Sequence, residues 1–323
     1  MKWGVIGAGK ISTQFAEDGS VLPDREIVAV ATTKIETAKP FAEKFGIPNA
    51  YGNWKKLLEH DEIENIYVGS PHTMHKVMVI ECLKKGKNVL CEKPLGVNYK
   101  EAEAMINASE KHGKLLIEAM WTVFFPTIQK IKEFIETNKY GKLHTISTNK
   151  GYGGTKTRDR WRYYNHMAGG GLLDLGVYPI HVMRYLFDKM PDNHVSFAKL
   201  ENDVDVYSTI LMDFDGVFCT CTQTSYNDVD NFATFYFDKA VVTLTNRWYC
   251  TDTILIDEAG KDRAILTFPF EYQGMQYEIA EFEKAAKQNK TEHPLVTHKS
   301  TLEVVKMMDS LRKEWGLVYP QDK

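Results

Sequence analysis

The sequence predicts an α/β protein with two domains, an N-terminal doubly wound parallel sheet and a C-terminal α+β domain with a large, mostly antiparallel open sheet. Up to about residue 119, short β-branched runs alternate with segments of helical period, a rhythm typical of β/α units. From about residue 143 onward, most segments are strand-like and follow one another directly. The length of 323 residues exceeds the roughly 100–200 residues of a common domain, so we place domains at 1–120 and 121–323.

The first half contains strand-like runs that are apolar on both faces, as expected of strands covered by helices on both sides of a sheet. These runs are KWGVIG, EIVAVAT, NIYVGS, KNVLCEK and KLLIEA. Helix-period segments such as ETAKPFAEKFG and TMHKVMVIECLKKGK separate them. The alternation therefore predicts a parallel sheet.

The second half is predicted to form a largely antiparallel sheet with helices packed on it. The runs VYSTILMDF and VFCTCTQTS meet at 213–216, where Asp-Phe-Asp-Gly gives a compact hairpin signal. One helical segment extends from the glycine run at 169–171 through residue 185. Two further helices are predicted near 276–288 and 297–314.

The composition excludes several functional classes. A formal net charge of −3 leaves no basic surface for nucleic acid or for acidic membranes. No stretch approaches the roughly 20 apolar residues of a membrane span, and the opening residues lack the apolar core of a secretory signal. We therefore expect a cytoplasmic protein with five buried, reduced cysteines, no metal site, and no nucleic-acid or membrane partner.

A glycine-rich turn follows the first predicted strand. The segment GAGKIS at 7–12 has the first two glycines of the dinucleotide fingerprint, with serine where the third glycine or alanine is usual. The first glycine permits a tight turn, the second lets the backbone approach a pyrophosphate, and the following helix offers free N–H groups. The predicted dinucleotide contacts in this turn are Gly7, Gly9, Lys10 and Ile11.

The end of the second predicted strand bears on the identity of the dinucleotide. An acidic residue there would hold the ribose 2′-hydroxyl of NAD, but the sequence has Thr32, Thr33 and Lys34. Two hydroxyls and an ammonium would accept a 2′-phosphate, although the bidentate clamp of an arginine is missing. NADP is therefore favoured over NAD. The alternative is that Lys34 only begins a solvated helix.

Four ordered motifs give the chain a resemblance to a known family. Beside the glycine turn they are YVGSPHTMH at 67–75, GKNVLCEKPL at 86–95 and GGGLLDLGVY at 169–178. Together they resemble the Gfo/Idh/MocA family, the group of glucose-fructose oxidoreductase and inositol dehydrogenase, and the Glu-Lys-Pro element is the most specific of them. The segments EAMWTVFFP and RWR are similar to the trans-dihydrodiol and D-xylose dehydrogenase branch.

The resemblance implies an N-terminal Rossmann domain, a C-terminal open-sheet domain, and a nicotinamide and substrate that meet between them. It implies an enzyme that transfers a hydride between NADP or NAD and a hydroxyl or carbonyl group of a sugar, polyol or dihydrodiol. Two alternatives stay open within the resemblance, a dinucleotide-binding sensor without turnover and an NAD-dependent glycoside hydrolase. The intact lysine and tyrosine of the motifs argue against the sensor.

An alcohol that loses a hydride must also lose its hydroxyl proton, so a base is needed within hydrogen-bond reach. Lys93 follows a predicted parallel strand, at the sheet edge where ligands of such folds gather. Tyr178, at a position that the family fills with Tyr or His, is the competing proton carrier, and the two side chains could share the proton. Asp174, predicted on the same helix face as Tyr178, is assigned to orientation because an ionised carboxylate is a weak base for an alcohol.

Each of these three residues also has a structural alternative. Lys93 could cap a strand end, Asp174 could be a helix-start carboxylate, and Tyr178 could be a core aromatic residue whose hydroxyl is hydrogen-bonded. The further predicted cofactor contacts are Ser70, Pro71, His72, His75, Glu92 and Lys93 itself. The alternatives are that Glu92 positions the Lys93 loop and that His72 and His75 are helix-start residues.

The predicted substrate contacts are Trp121, Phe124, Arg160, Trp161 and His181, with the alternative that His181 is a histidine packed on its helix. An aromatic wall suits an apolar ring or the carbon face of a sugar, while the rings could equally pack one domain on the other. The aromatic-rich segment DNFATFYFD at 230–238 predicts a subunit contact, because an apolar sheet face without a covering helix favours a partner. We therefore expect a homodimer or a dimer of dimers that acts on a small-molecule substrate.

Overall fold

The computed structural model describes residues 1–152, 164–245 and 247–323. Its contacts divide these residues into two compact units, and neither unit is one continuous stretch of chain. The N-terminal unit comprises Met1–Trp121 and Glu271–Leu302, and the second unit comprises Thr122–Phe270 and Glu303–Lys323. Residues 271–302, which we assigned to the second domain from the sequence, therefore pack with the N-terminal sheet.

Strands and helices alternate regularly only in the first part of the chain. The strands are β1 Lys2–Ile6, β2 Glu26–Ala31, β3 Asn49–Tyr51, β4 Asn65–Val68, β5 Asn88–Glu92, β6 Leu116–Ala119, β7 Leu143–Gly151, β8 Asn193–Glu201, β9 Val204–Phe214, β10 Val217–Thr224, β11 Ala233–Phe237, β12 Ala240–Leu244, β13 Thr253–Glu258 and β14 Ala264–Thr267. The α-helices are α1 Lys10–Gly19, α2 Ile35–Phe45, α3 Trp54–Leu57, α4 His75–Lys84, α5 Tyr99–His112, α6 Pro126–Glu136, α7 Val177–Phe187, α8 Gln276–Lys287 and α9 His298–Glu314.

The N-terminal unit contains a six-stranded sheet in the order β3-β2-β1-β4-β5-β6, and every paired strand is parallel. The chain moves outward in one direction from β1 to β3 and in the other from β4 to β6. Ligands of such sheets bind where the order reverses, at the carboxyl ends of the central strands. The predicted doubly wound α/β fold is confirmed, and its reversal point lies beside the glycine turn.

The segment 271–302 is fastened to the N-terminal sheet by buried polar contacts. The indole Nε1 of Trp3 donates to a carboxylate oxygen of Glu283 on α8 at 2.7 Å. The Asp18 carboxylate on α1 accepts the backbone N–H groups of Gln273 and Met275 at 3.1 and 2.7 Å, while burial raises the pKa of Asp18. A hydrophobic period alone does not encode such pairings, which is why the sequence did not predict them.

The second unit contains an eight-stranded sheet in the order β14-β13-β12-β11-β7-β10-β9-β8. One pair, β7 with β10, is parallel, and the other pairs are antiparallel, as expected of a mostly antiparallel sheet. The predicted Asp-Gly hairpin joins β9 to β10. Asp215 and Gly216 have φ values of 53° and 84°, the left-handed pair that a two-residue hairpin turn requires.

All five cysteines are buried and free, as the sequence predicted. No helix among the described residues is both long and apolar enough to cross a membrane. The closing helices α8 and α9 match the two predicted ones to within one residue.

Candidate functional site

The glycine turn after β1 has the backbone geometry of a phosphate-binding turn. Gly7 has a φ of +109°, and a Cβ atom there would lie 2.5 Å from the carbonyl oxygen of Gly69, so only glycine fits. At Gly9 nothing lies within 4 Å of the place that a Cβ would occupy, which leaves the backbone open to a ligand. Helix α1 begins directly after it without a side-chain cap, so its first N–H groups face this opening.

Ser12 fills the third position of the fingerprint and acts as a packing residue. Its hydroxyl is buried, and a Cβ at Gly69 would lie 2.4 Å from Ser12 Oγ. A small residue is needed here because α1 and the turn after β4 approach each other closely. The turn therefore fits the pyrophosphate of a dinucleotide, with serine replacing the usual glycine or alanine.

Of the three residues predicted to hold a 2′-phosphate, Thr32 is engaged within its own turn. Its Oγ1 accepts the N–H of Lys34 at 3.2 Å and lies 2.7 Å from Oγ1 of Thr37. Thr33 and Lys34 have exposed side chains at the start of α2. The capacity to bind an anion at this strand end therefore rests on Thr33 and Lys34, whereas Thr32 shapes the turn.

Lys93 follows β5, and the residue before it fixes its loop. The Glu92 carboxylate accepts the hydroxyl of Tyr67 at 2.7 Å and the backbone N–H of Lys93 at 3.3 Å. Burial raises the pKa of Glu92 to about 7. Both carboxylate oxygens thus have protein partners, which fits the alternative that Glu92 positions the Lys93 loop. Lys93 itself is half-buried.

His75 begins α4 and lies between two turns. Its ring is fully buried, with Nδ1 at 3.0 Å from the carbonyl oxygen of Pro94 and Nε2 at 3.0 Å from that of Ser70. Burial lowers the pKa of His75. The ring therefore joins the turn after β4 to the turn after β5. Of its neighbours, Ser70 is half-buried, Pro71 is exposed and His72 is buried.

The glycine run at 169–171 leads into a π-helical turn that is followed by an α-helix. We expected one α-helix with Asp174, Tyr178 and His181 on one face, but residues Leu172–Gly176 form a π-helical turn before α7. The N–H of Val177 bonds the carbonyl of Leu172, five residues earlier. Wider turns of this kind often occur at functional sites. The Asp174 carboxylate accepts the hydroxyl of Tyr152 at 2.8 Å.

A buried carboxylate explains the glycines. Asp205 on β9 accepts the N–H of Leu172 at 2.6 Å, and a Cβ at Gly170 would lie 2.1 Å from Asp205 Oδ1. Gly170 also has a φ of +125°, which disfavours any other residue. Burial raises the pKa of Asp205 to about 7. The glycine run therefore lets Asp205 approach the backbone that begins the π-helical turn.

Tyr178 is buried beside a lysine that the sequence analysis did not select. Lys150 on β7 is 2% exposed, and its Nζ lies 3.8 Å from the ring centre of Tyr178 and 2.7 Å from that of Tyr249. The two rings have centres 5.3 Å apart. Lys150 shares the buried face of β7 with Ile146 and Thr148. A lysine at a position that the period-two pattern assigns to the core could therefore have indicated a functional residue.

The remaining predicted residues are less informative. Trp121 and Phe124 are buried on a short 3-10 turn, and His181 is buried on α7. Arg160 and Trp161 lie outside the described residues. Within the part of the chain that the structure describes, no three His, Cys, Asp or Glu side chains are grouped to hold a metal ion.

Comparison with known proteins assigns most of the chain. Residues 1–120 match a family model described as "Oxidoreductase family, NAD-binding Rossmann fold", and residues 128–251 match the GFO/IDH/MocA C-terminal domain. The trans-1,2-dihydrobenzene-1,2-diol dehydrogenase of Sus scrofa is 30% identical over 100% of this chain and 99% of its own length. The enzyme of the same name from Homo sapiens is 29% identical over the same shares.

Solved structures share the fold across nearly the full length. A 3-ketoreductase from Actinomadura kijaniata, in complex with NADP and TDP-benzene, has a TM-score of 0.85 at 24% identity and 97% coverage of both chains. An aldose-aldose oxidoreductase from Caulobacter crescentus has a TM-score of 0.86 at 19% identity, covering 97% of this chain and 96% of the other.

The buried Asp205 carboxylate predicts a pH-dependent difference in stability. Because its pKa in the folded state lies near 7, above the usual 3.8, its contribution to the free energy of unfolding is greatest at low pH and is lost as the pH rises through 7. Asp205→Asn removes this titration and keeps an oxygen for Leu172. Relative to the wild type, the variant should therefore gain about 2–3 kcal/mol between pH 5 and pH 8.

Urea denaturation at both pH values measures the difference. Asp230→Asn, which removes an exposed carboxylate from a neighbouring loop of the same unit, serves as the control and should show no such trend. A constant difference between Asp205→Asn and the wild type across this range would contradict a raised pKa at Asp205.

Proposed function

This chain belongs to the GFO/IDH/MocA family of oxidoreductases with an NAD-binding Rossmann fold, and from that premise we propose that it is an NAD(P)-dependent dehydrogenase or reductase of ring-borne secondary alcohols. One observation within the N-terminal unit carries the proposal. Strands β1, β4 and β5 are adjacent and parallel, so the glycine turn and Lys93 lie at the same edge of the sheet. A nucleotide held by the turn would therefore have an amine beside it.

The proposed substrate carries two neighbouring hydroxyl groups on a six-membered ring. The relatives in sequence are named for a dihydrobenzene diol, and one of the two structural neighbours, the aldose-aldose oxidoreductase, is named for sugar substrates. Cyclic sugars, inositols and dihydrodiols all present this arrangement. The substrate chemistry common to these names supports a cyclic vicinal diol, or the corresponding hydroxyketone in the reverse direction.

In the oxidative direction, the carbon that bears the hydroxyl loses a hydride and the oxygen loses a proton, which gives a carbonyl, reduced nucleotide and one proton. A bound nicotinamide supplies the site that accepts the hydride. Lys93 and Tyr178 are the proposed proton carriers, and either could accept the hydroxyl proton. Asp174, held by Tyr152, is proposed to orient the substrate hydroxyl by a hydrogen bond.

The proposed cofactor contacts are those whose geometry fits a dinucleotide. Gly7, Gly9, Lys10 and Ile11 surround the start of α1, where a pyrophosphate would be stabilised by N–H groups and the helix dipole. Thr33 and Lys34 support NADP over NAD because both are exposed at a strand end that lacks a carboxylate.

We also propose that the protein forms a homodimer through the open face of the eight-stranded sheet. This face exposes apolar side chains from several strands, with Phe197 76%, Ile265 60% and Val195 59% exposed. The strand register brings them into rows, since Val195 pairs with Leu211 and Tyr236 with Thr145. Eight strands spaced about 4.8 Å apart, at about five residues of roughly 3.3 Å each, give a face on the order of 600 Å². This is close to the roughly 800 Å² per partner of a standard interface. A second copy presents a face of the same size and character.

Replacing Lys93 with Met tests the proposed chemistry. Loss of a proton carrier should lower kcat for a cyclic diol by about 10²–10⁴-fold, whereas the affinity for NADPH, measured by fluorescence titration, should stay within tenfold. The substrates to screen are aldoses, inositols and dihydrodiols. Lys76→Met, at an exposed lysine on α4, is the matched control.

Undiminished turnover in Lys93→Met would refute the role of Lys93. A wild-type protein that binds NADPH but turns over no diol or sugar would indicate a sensor. Cleavage of a chromogenic glycoside with no net change in NADH would indicate a glycoside hydrolase.

Replacing Lys34 with Ala tests the preference for NADP. Loss of an exposed ammonium beside the 2′-phosphate should weaken NADPH binding by about three- to tenfold and leave NADH binding unchanged. Lys39→Ala, at an exposed position further along α2, should change neither affinity. An equal loss of affinity for NADPH and NADH would place Lys34 away from the 2′-phosphate.

The dimer is tested by sedimentation. We expect the wild type to sediment at about twice its mass of 37.0 kDa, and Phe197→Glu to shift the protein toward the monomer because it places a charge in an apolar interface. Val77→Glu, at a 45% exposed valine on α4, is the control and should remain dimeric. A monomeric wild type would contradict the proposal.

A further inference from the structure

We propose that Lys150 is a positioning residue for Tyr178, a buried ammonium that stabilises the phenolate form of this side chain, the form that accepts the substrate proton. The inference rests on the proposed function for the role of Tyr178 in proton transfer. The electrostatic effect itself concerns only residues of the second unit and can be measured without substrate or nucleotide.

The backbone position of Lys150 is fixed by the sheet. Strand β7 has hydrogen-bonded neighbours on both sides, β10 and β11, and Lys150 pairs in register with Gln223. The carbonyl oxygen of the preceding residue, Asn149, accepts the indole N–H of the buried Trp248 at 3.0 Å. The side chain therefore leaves a central strand whose residues cannot shift without breaking the ladder.

The surroundings of the ammonium are also fixed. Tyr249 follows Trp248 on a 3-10 turn, and its carbonyl oxygen accepts the hydroxyl of Thr122 at 2.8 Å. Lys150 Nζ lies against the rings of both Tyr178 and Tyr249, and all three side chains are more than nine-tenths buried. In this environment charges interact strongly because little water screens them.

The charged and titratable groups around Tyr178 come from several elements. Arg247, just before the 3-10 turn, interacts electrostatically with Tyr178 and donates to the Tyr249 hydroxyl at 3.2 Å. Asp174, on the preceding π-helical turn, opposes a phenolate, and its carboxylate is held by Tyr152. His181 follows on the same helix. Among these groups, Lys150 places its Nζ against the Tyr178 ring, 3.8 Å from the ring centre.

The size of the effect decides whether it matters for the reaction. A phenol with the ordinary pKa of about 10 is ionised to only about one part in a thousand at pH 7. An opposite charge within about 4–6 Å favours the ionised form by about 1–3 pH units. The fraction of phenolate able to accept a proton would then rise by about 10- to 1000-fold.

The test is a titration of the Tyr178 phenol in the full chain without nucleotide. Tyrosine labelled with ¹³C at Cζ reports ionisation by NMR, and the spectrum of Tyr178→Phe assigns the signal. Lys150→Met should raise the midpoint by at least one pH unit, whereas Lys150→Arg, which keeps the charge, should stay within about half a unit of the wild type.

Lys199→Met is the matched control, because Lys199 on β8 of the same sheet also lies over a tyrosine ring, that of Tyr226, but is solvent-exposed. It should leave the Tyr178 signal unchanged. If Lys150→Met does not fold, as judged by circular dichroism, Lys150→Gln replaces it. An unchanged Tyr178 midpoint in a folded variant without the charge would overturn the inference.

Kinetics provide a second readout where turnover is found. Lys150→Met should lower kcat at pH 7 by about 10- to 100-fold, and kcat should recover at higher pH. KM should change less than threefold. A loss of kcat that is equal at all pH values would assign Lys150 a packing role and overturn the inference. The NMR titration separates the two proposals, because it can succeed in a protein that shows no dehydrogenase activity.

Discussion

The arrangement of the second unit depends on one buried carboxylate that binds the backbone. Asp205 accepts the first N–H of the π-helical turn, and its close approach leaves room only for glycine at position 170. That contact sets where the turn begins, and the turn sets where Asp174 and Tyr178 lie. The cost of burying the carboxylate appears as the raised pKa of Asp205. A residue with no contact to the reacting atoms thus determines the geometry of those that are proposed to react.

The N-terminal unit relies on the same kind of interaction at the edge of its parallel sheet. Glu92 and His75 fasten the loop that carries Lys93 to the neighbouring turn and to Tyr67. Loops at the carboxyl ends of strands lack the ladder that orders the strands themselves. Buried polar side chains take its place, so that the flexible Lys93 side chain extends from a rigid loop.

Period and spacing were sufficient to predict the fold. Alternating runs gave the parallel sheet, the Asp-Gly signal gave the β9–β10 hairpin, and the glycine turn gave the start of α1, because each of these depends on neighbouring residues. The π-helical turn was not predictable, since an α-helix and a π-helix of five residues share the same apolar composition. The contact of Lys150 with the rings of Tyr178 and Tyr249 was also not predictable, because it depends on side chains that meet only after the sheet has formed.

The return of residues 271–302 to the N-terminal unit has a consequence for how the protein is made. When a ribosome has finished residues 1–121, Trp3 and Asp18 still lack the partners that Glu283, Gln273 and Met275 provide. The first sheet to emerge therefore waits for these contacts, and the intervening 149 residues, 122–270, are synthesised while they are unmade. A nascent chain of this kind depends on protection from aggregation for longer than one whose domains follow each other along the sequence.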